Sequence, residues 1–391
     1  MYHIGMVRVY RYRLYPSRAQ HVVMLGILWL LRELYNAALQ HRSDVYRRTG
    51  ETVSAYTQMR EIAGIREVRP EYQAIHVHLM QDAITRLDRA FSAFFRRCKA
   101  GEAPGFPRFK GRDRYRTFTF KDAGHNNGVR LAAGGQRVKL TGIGNVKVKL
   151  HRPVEGRIKQ ASVTLSGDGH WYVAFACDGV EPQPLPATGA SVGVDVGITT
   201  FAALSNGEMV ANPRPYETAQ RALGKAQRVV SRRKRGSHRR RKAVRRLAKR
   251  HDKVTRVRRD FHHKTALDLV RRFDVIAVEN LNVKGLAQMA LAKQVHDAGW
   301  ASFTNIIRSK AEKAGREVVA VDPRGTSQEC SGCGAVVKKG LGVRVHACAC
   351  GLVLDRDTNA AINIASRGHR LRGGLNAPVE PRSPYLAVSG R

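Results

Sequence analysis

Val192-Gly193-Val194-Asp195-Val196 and, further along, Val275-Ile276-Ala277-Val278-Glu279 are short apolar runs that each end at, or are interrupted by, one carboxylate. Runs this short and this rich in valine read as buried strands. A third carboxylate, Asp357, opens a helix-like segment. The background is strongly cationic, with 69 Lys+Arg against 31 Asp+Glu and a net charge of +38. Acids at strand ends inside such a field make sense if something positive, such as a metal pair, lies between them. Each acid also has a plain reading: Asp195 as a turn residue, Glu279 as a strand-end cap, Asp357 as a helix N-cap. Their order within a strand–strand–strand–helix–strand–helix pattern strengthens the joint case. That pattern is the α/β layout of ribonuclease H-like domains, in which adjacent strand ends and a late helix gather distant acids. The combination points to an enzyme that cuts nucleic acid.

Composition bounds the rest. A chain of 391 residues is long enough for two or three domains, and 43% hydrophobic residues suit ordinary globular cores. A pI near 10.9 is the footprint of a nucleic-acid binder, although membranes and acidic proteins also attract basic chains. The longest apolar run, residues 22–31, falls short of the roughly 20 residues a bilayer span needs and reads as a buried helix face. Residues 1–15 lack the apolar core of a signal peptide, so a cytoplasmic protein with no membrane partner is expected. Of six cysteines, four cluster at metal-ligand spacing, while Cys98 and Cys177 stand alone.

Residues 7–15 alternate as a strand with a basic face, ended by Pro16. Ser17 and Gln20 form a capping-box pattern that opens a long helix toward Tyr46. A second helix, 75–98, carries Leu79, Leu87, Phe91, Phe94 and Phe95 at the spacing of one packed face. Gly105-Phe106-Pro107-Arg108-Phe109-Lys110 breaks it. β-rich stretches follow at 114–120, 137–140, 146–150, 157–165 and 171–177, the last two joined by a hairpin turn at 166–169. They read as a β-barrel-like domain interrupted by the helical block. Residues 182–187 (Pro-Gln-Pro-Leu-Pro-Ala) read as a linker. Strands at 191–195, 200–205 and 208–211 come next, then a helical pair over 216–272 broken near Gly236-Ser237. Between 216 and 260 there are 19 Lys/Arg against three acids, Glu217, Asp252 and Asp260. Such a run is either a solvated face or a phosphate-binding flank. Val229, Val244, Leu247, Val254 and Val257 are expected to pack these helices. Strand 274–279, helix 300–315 and strand 318–321 complete the pattern, and the chain beyond Gly368 is expected to be disordered.

Cys330-Ser331-Gly332-Cys333 and Cys348-Ala349-Cys350 offer four thiolates suited to tetrahedral structural zinc. The second knuckle is one residue short, which leaves His346 as a substitute ligand and unmetallated thiols as the alternative. The carboxylates need a harder ion, Mg²⁺ or Mn²⁺. Two such ions about 4 Å apart would serve phosphodiester hydrolysis.

Gly193-Val-Asp195-Val-Gly197, Val278-Glu279-Asn280-Leu281, Thr326-Ser-Gln-Glu-Cys330-Ser-Gly-Cys333 and Asp355-Arg-Asp357-Thr-Asn359-Ala-Ala-Ile-Asn363-Ile resemble motifs of the TnpB family. These are transposon-encoded RNA-guided nucleases related to type V CRISPR effectors. Arg13-Leu-Tyr-Pro16 and Gly105-Phe-Pro-Arg-Phe-Lys110 match as well, so the resemblance spans residues 7–368 in consistent order. It implies a wedge-like β-barrel (1–16 and 113–181) with an inserted helical recognition lobe (17–112) and a linker at 182–190. It further implies a RuvC nuclease domain (191–324 and 353–368) with a zinc-binding insertion (325–352), ahead of a tail at 369–391. The implied partners are a transposon-derived guide (omega) RNA and double-stranded target DNA carrying a short flanking motif, both strands of which are cut by a monomer holding one RNA. By motif match, Asp195, Glu279 and Asp357 take the catalytic metal positions, with Asp355 the weaker candidate for the third acid. Gln81 and Thr117 fall near positions that read the flanking motif, and as polar surface residues they also have a plain reading. Arg108, Lys110, Arg114, Arg232, Arg233, Lys234, Arg239 and Arg240 would hold nucleic-acid backbones by shape, not base identity. A guide-directed regulator without cleavage and a DNA-joining transposase are the competing functions.

Overall fold

The structure, a computed structural model, describes residues 6–373 apart from 122, 124–127, 133, 287–291 and 341. It divides into two compact units, Met1–Glu181 and Pro182–Arg391.

The first unit begins with β1 (Met6–Tyr15), then α1 (Arg18–Thr49), α2 (Ala55–Arg60), α3 (Ile62–Val68), a 3₁₀ turn at Pro70–Tyr72 and α4 (Val77–Lys99). Six strands follow: β2 (Thr117–Phe120), β3 (Val129–Leu131), β4 (Arg137–Leu140), β5 (Gly144–Lys149), β6 (Arg157–Leu165) and β7 (Trp171–Val180). They join β1 in a barrel-like antiparallel sheet of order β2-β6-β7-β1-β5-β4-β3. Alternation decides which side faces inward. Tyr10, Tyr12 and Leu14 of β1 and Trp171, Val173, Phe175 and Cys177 of β7 are buried, and Lys147 and Lys149 of β5 point out. The Ser17–Gln20 capping box closes as the sequence predicts, with both reciprocal bonds made.

α1 has the length and apolarity of a membrane span. Half of that stretch is instead core of this unit, with Met24, Leu31 and Leu39 at 0–1% exposure. The run at 22–31 is only half the buried face expected, because Val22, Val23, Leu25 and Trp29 look outward. The packed face of α4 also stops short: burial ends at Leu87, and Phe95 is 56% exposed.

The second unit contains β8 (Ser191–Val196), β9 (Thr200–Leu204), β10 (Met209–Ala211), α5 (Pro215–Ser231), α6 (His238–Arg272) and β11 (Val275–Glu279). Then come α7 (Val283–Leu286), α8 (Ala292–Ala298), α9 (Trp300–Lys313), β12 (Glu317–Val321), β13 (Val345–Ala347), β14 (Val353–Asp355) and α10 (Arg356–Gly373). The sheet order is β10-β9-β8-β11-β12; β8, β11 and β12 run parallel, and β9 and β10 are antiparallel additions. One core holds Val192, Val194, Phe201, Ile276, Phe303 and Ile307 between this sheet and helices α6 and α9.

Several expectations need correction here. Residues 183–189 are not a free linker but a strap fastened to their own unit. Gln183 N and Leu185 N donate to Lys313 O and Ala314 O, Thr188 and Gly189 donate to the Asp274 carboxylate, and Arg316 holds both Asp274 and the Pro186 carbonyl. The helical pair packs through Leu223, Val230, Ala243 and Val254, while Val229, Val244 and Val257 are exposed. Residues 369–373 are not tail: α10 continues to Gly373, and His369 Nε2 meets Ser191 Oγ at 2.7 Å. The expected disorder of 374–391 lies outside the described residues.

Candidate active site

Strand register brings the first two acids together. β8 and β11 are parallel with Val194 opposite Val278, so Asp195 and Glu279, each one residue further on, leave neighbouring strands side by side. Adjacent strands lie roughly 4.8 Å apart. By alternation Gly193 shares a face with Asp195, and Ala277 shares one with Glu279.

α10 lies on that face, and glycine is what lets it approach. A Cβ at Gly193 would stand 2.5 Å from the Ala365 amide nitrogen and closer still to the Ala361 carbonyl oxygen. A Cβ at Gly368 would stand 2.7 Å from that of Ala277. With α10 seated so closely, Asp357 in its first turn reaches the strand ends, its Oδ2 lying 4.0 Å from the position a Cβ would take at Gly197. In the motif Gly193-Val-Asp195-Val-Gly197 the first glycine thus admits the helix that carries the third acid, while a Cβ at the last would stand 2.8 Å from the Thr200 carbonyl oxygen.

Electrostatics agrees with convergence. Burial first, then the Glu279 and Asp357 charges, hold the Asp195 carboxyl well above the usual carboxylate range, and Arg356 only partly opposes them. Burial likewise raises Glu279, against a lowering by the Thr326 hydroxyl, which donates to its Oε1 at 2.7 Å, and by Arg367. Carboxylates that raise one another's proton affinity in a partly dry site favour any divalent cation that relieves the repulsion. The donor set is all oxygen, which suits Mg²⁺ or Mn²⁺ over softer metals.

The two aspartates of the Asp355-Arg-Asp357 motif divide their work. Asp355 is exposed, and its Oδ1 accepts from the Asp357 and Thr358 amides at 2.9 and 3.0 Å, so it caps α10. Asp357 is the acid that faces the strand ends. Its Oδ1 accepts from Arg356 Nε and Nη2 at 3.0 and 2.9 Å, and Arg344 stands 3.7 Å from its Oδ2. The sequence reading assigned no role to Thr326, Arg344 or Arg356. Arg356 could have been noticed from its place between two acids, but Arg344 has no local signal.

The four cysteines form a separate centre. Cys330, Cys333, Cys348 and Cys350 offer sulfurs that all lie within 4.8 Å of one another, with Cys330–Cys350 and Cys333–Cys348 both at 3.6 Å. Tetrahedral zinc with Zn–S bonds near 2.3 Å places sulfurs about 3.8 Å apart, so the set fits structural zinc. The short second knuckle closes because Gly351, at φ 87°, turns the β13–β14 hairpin while Cys348 N donates to Leu352 O. Burial pushes the Cys330 thiol up, but the Cys333 and Gly332 amides and His346 outweigh it and bring it down to about 6. His346 stays outside the four-sulfur set, buried, with Nδ1 on the Lys339 ammonium.

The remaining candidates lie apart from the acids in sequence and are divided between the two units. Gln81 and Thr117 are half-buried in the first unit, and the Thr117 hydroxyl is engaged with that of Thr164 at 2.9 Å. Arg108 and Arg114 are exposed and Lys110 half-buried. In the second unit Arg232, Arg233, Lys234 and Arg239 are exposed around the α5–α6 turn, with Arg240 half-buried.

A Streptomyces pristinaespiralis protein named "Putative RNA-guided DNA endonuclease" is 33% identical over 375 residues, covering 92% of this chain and 89% of its own. The mimivirus "TnpB-like protein L770" is 28% identical over 239 residues, 57% of this chain and 46% of its own length. The chain belongs to the TnpB family. An Escherichia coli K12 relative, "Putative RNA-guided DNA endonuclease InsQ", is 26% identical and covers 93% of this chain and 92% of its own. Family models match over three segments: "Probable transposase" at 174–290, "Cas12f1-like, TNB domain" at 300–364 and "Helix-turn-helix domain" at 6–51. The last description does not suit TnpB residues 6–51 here, which form one strand and one uninterrupted helix. Among solved structures, the "Cas12f1-sgRNA-target DNA complex" covers 92% of this chain and 99% of its own at TM-score 0.56 and 12% identity, a likeness of fold. The fold is therefore a RuvC-type nuclease domain with a zinc-ribbon insertion, accompanied by a wedge-like barrel bearing an inserted helical lobe.

Proposed function

We propose that this TnpB protein is an RNA-guided DNA endonuclease of a mobile element that holds a guide RNA, recognises a short flanking motif, and cleaves both strands of matched DNA with Mg²⁺ or Mn²⁺. The observation that carries the reading is the meeting of Asp195, Glu279 and Asp357 at the ends of the inner strands β8 and β11, with Asp195 driven toward protonation by burial and then by the other two charges. Asp195 and Glu279 supply the negative field that retains divalent cations, and Thr326 fixes the Glu279 rotamer through its hydroxyl. Arg356 orients Asp357 by a two-nitrogen grip. Asp195, Glu279 and Asp357 would hold a metal pair, which would supply an activated water and stabilise the leaving oxygen. The names of two relatives that each cover more than nine-tenths of the chain support guide-directed cutting, and the exposed Arg232–Arg239 region supports retention of phosphates. We assign motif reading to Gln81 and Thr117, and one protein to one RNA.

The test is a plasmid-cutting assay with the chain purified together with the transcript of its own locus. Wild type with Mg²⁺ should linearise matched plasmid. Asp195→Ala should lower cutting at least 10³-fold while RNA retention is unchanged, on the scale expected when transition-state charge stabilisation is lost. Equal cutting by Asp195→Ala, no RNA in the purified wild type, or joined DNA products in place of breaks would each overturn the reading.

A further inference from the structure

α4 carries a second aromatic feature that the nuclease site does not use. Its core stripe ends at Leu87, yet the apolar spacing continues as Phe91, Phe94 and Phe95. The Gly105–Lys110 turn folds back onto these rings. Phe106 meets Phe91 and Phe94 edge-on at centroid distances of 5.6 and 5.4 Å, and Phe95 stacks on Phe91 at 6.2 Å. Phe95 and Phe106 of this cluster nevertheless remain 56% and 52% exposed, and Phe109, three residues beyond Phe106, is 56% exposed as well. Three large rings outward within fifteen residues cost solvation that a solitary surface phenylalanine would not.

The segment that carries Phe106 and Phe109 is anchored at its far end. Pro107 is buried between Phe106 and Arg108. Asn36 of α1 clamps the backbone of Lys110 from both sides, donating to its carbonyl at 3.1 Å and accepting from its amide at 2.8 Å. The Lys110 ammonium lies 5.4 Å from the Tyr35 ring centroid. In the same stretch of chain Arg96, Arg97, Lys99 and Arg108 are exposed, with only Glu102 among residues 96–108 to oppose them. Apolar faces alone would suit a protein partner or a second copy of the chain. Exposed aromatic faces and guanidinium groups in one short stretch suit unpaired nucleobases, which stack on rings while their phosphates pair with the cations.

We propose that Phe95, Phe106 and Phe109 form a base-stacking platform for an unpaired stretch of the guide RNA. The inference rests on the RNA-guided reading above and adds to it a site that recognises bases by their faces instead of phosphates by their charge. RNA is the occupant favoured because single-stranded loops and bulges are how RNA is bound by aromatic surfaces, and a guide must be retained before any DNA arrives.

The experiment uses the full chain and its co-transcribed RNA, with affinity measured across a salt series. Phe109→Ala and Phe95→Ala should each weaken RNA binding about tenfold, and the Phe95→Ala/Phe109→Ala pair more. The slope of log affinity against log salt should stay as in wild type, because no phosphate contact is removed. Phe109→Trp should restore affinity. Arg97→Ala/Arg108→Ala should instead flatten that slope by about one per contact. 2-Aminopurine at unpaired guide positions should brighten at one position when Phe109 is replaced. Unchanged RNA affinity in the double phenylalanine variant overturns the proposal, as does a loss confined to displaced single-stranded DNA, or conversion of a wild-type dimer to monomer in light scattering. Absence of RNA from purified wild type would instead count against the RNA-guided function itself, so the two failures separate.

Discussion

Replacing Gly193 by alanine should disable cutting without touching a carboxylate. The added methyl would lie 2.5 Å from the Ala365 nitrogen, where ordinary contacts begin at 3.4 Å, so α10 must retreat by about 0.9 Å there and by more at the Ala361 carbonyl. The atoms in the way are helix backbone, which cannot rotate aside as a side-chain tip could. Overpacking of this kind costs about 1–3 kcal/mol, or several degrees in the melting of a unit this size. The functional cost is separate, because Asp357 rides on the first turn of the displaced helix. A misplacement near 1 Å is worth on the order of 10²-fold in rate. Cutting of matched plasmid should therefore fall about 10²-fold at temperatures where Gly193→Ala is fully folded by circular dichroism, with RNA retention unaltered. Gly64→Ala in α3, where a Cβ meets nothing within 4 Å, is the control and should cut as wild type does. Wild-type cutting by a folded Gly193→Ala would refute the claim that close packing of α10 sets the position of Asp357.

Two further outcomes are expected. His262 is fully buried among Phe201, Phe261 and Phe303, with Nε2 2.9 Å from Ala298 O, and burial pulls its pKa down to about 4. Since an unfolded histidine titrates near 6.5, the unfolded chain binds the extra proton between those values. The neutral ring's contribution of roughly 3 kcal/mol is thus complete above pH 6.5 and lost as pH falls toward 4. Urea melts at pH 7.5 and 4.5 should show this loss in wild type and a shallower one in His262→Phe; parallel pH profiles would contradict it. Asn359→Ala should cost about 1–3 kcal/mol, because the buried amide accepts from Ser331 N at 2.9 Å and donates to Glu329 O at 2.8 Å, and both bonds are lost with it. Thermal melts of the purified variant measure it, and a change under 0.5 kcal/mol would show that water replaces the amide freely.

Local patterns carried much of the architecture in advance. Alternation in β1, β5 and β7 marks the inward face because each residue step reverses the side chain, and the Ser17–Gln20 box needs only four consecutive residues. Asp195 and Glu279 were visible because a charge at the end of a valine run is costly unless used, and Asp357 because it opens a helix-like segment. What was hidden depends on distant chain. The strap at 183–189 reads as linker since prolines leave no periodic signal, and only the Asp274 carboxylate, Arg316 and the end of α9 make it structure. Phe95 at helical spacing reads as core, because periodicity reports which face an apolar residue shares and not whether anything covers that face. Arg344 reaches Asp357 only through the hairpin that brings β13 back to β14.

That hairpin also ties the thiolate cluster to the cutting site, although no cysteine touches an acid. β14 runs without a break into α10, so the knuckle at Cys348 and Cys350 fixes where the helix begins. From the other knuckle, the Ser331 amide and the Glu329 carbonyl grip Asn359, and Asn363 reaches the Thr326 and Glu329 carbonyls. Thr326 in turn holds Glu279. One acid on the helix and one on the sheet are therefore registered through the same cysteine loop, while Gly193 sets how deeply the helix sits. A helix start fixed on one side by four sulfurs and on the other by a glycine contact has little freedom left, which is what a site that must hold three repelling carboxylates together requires.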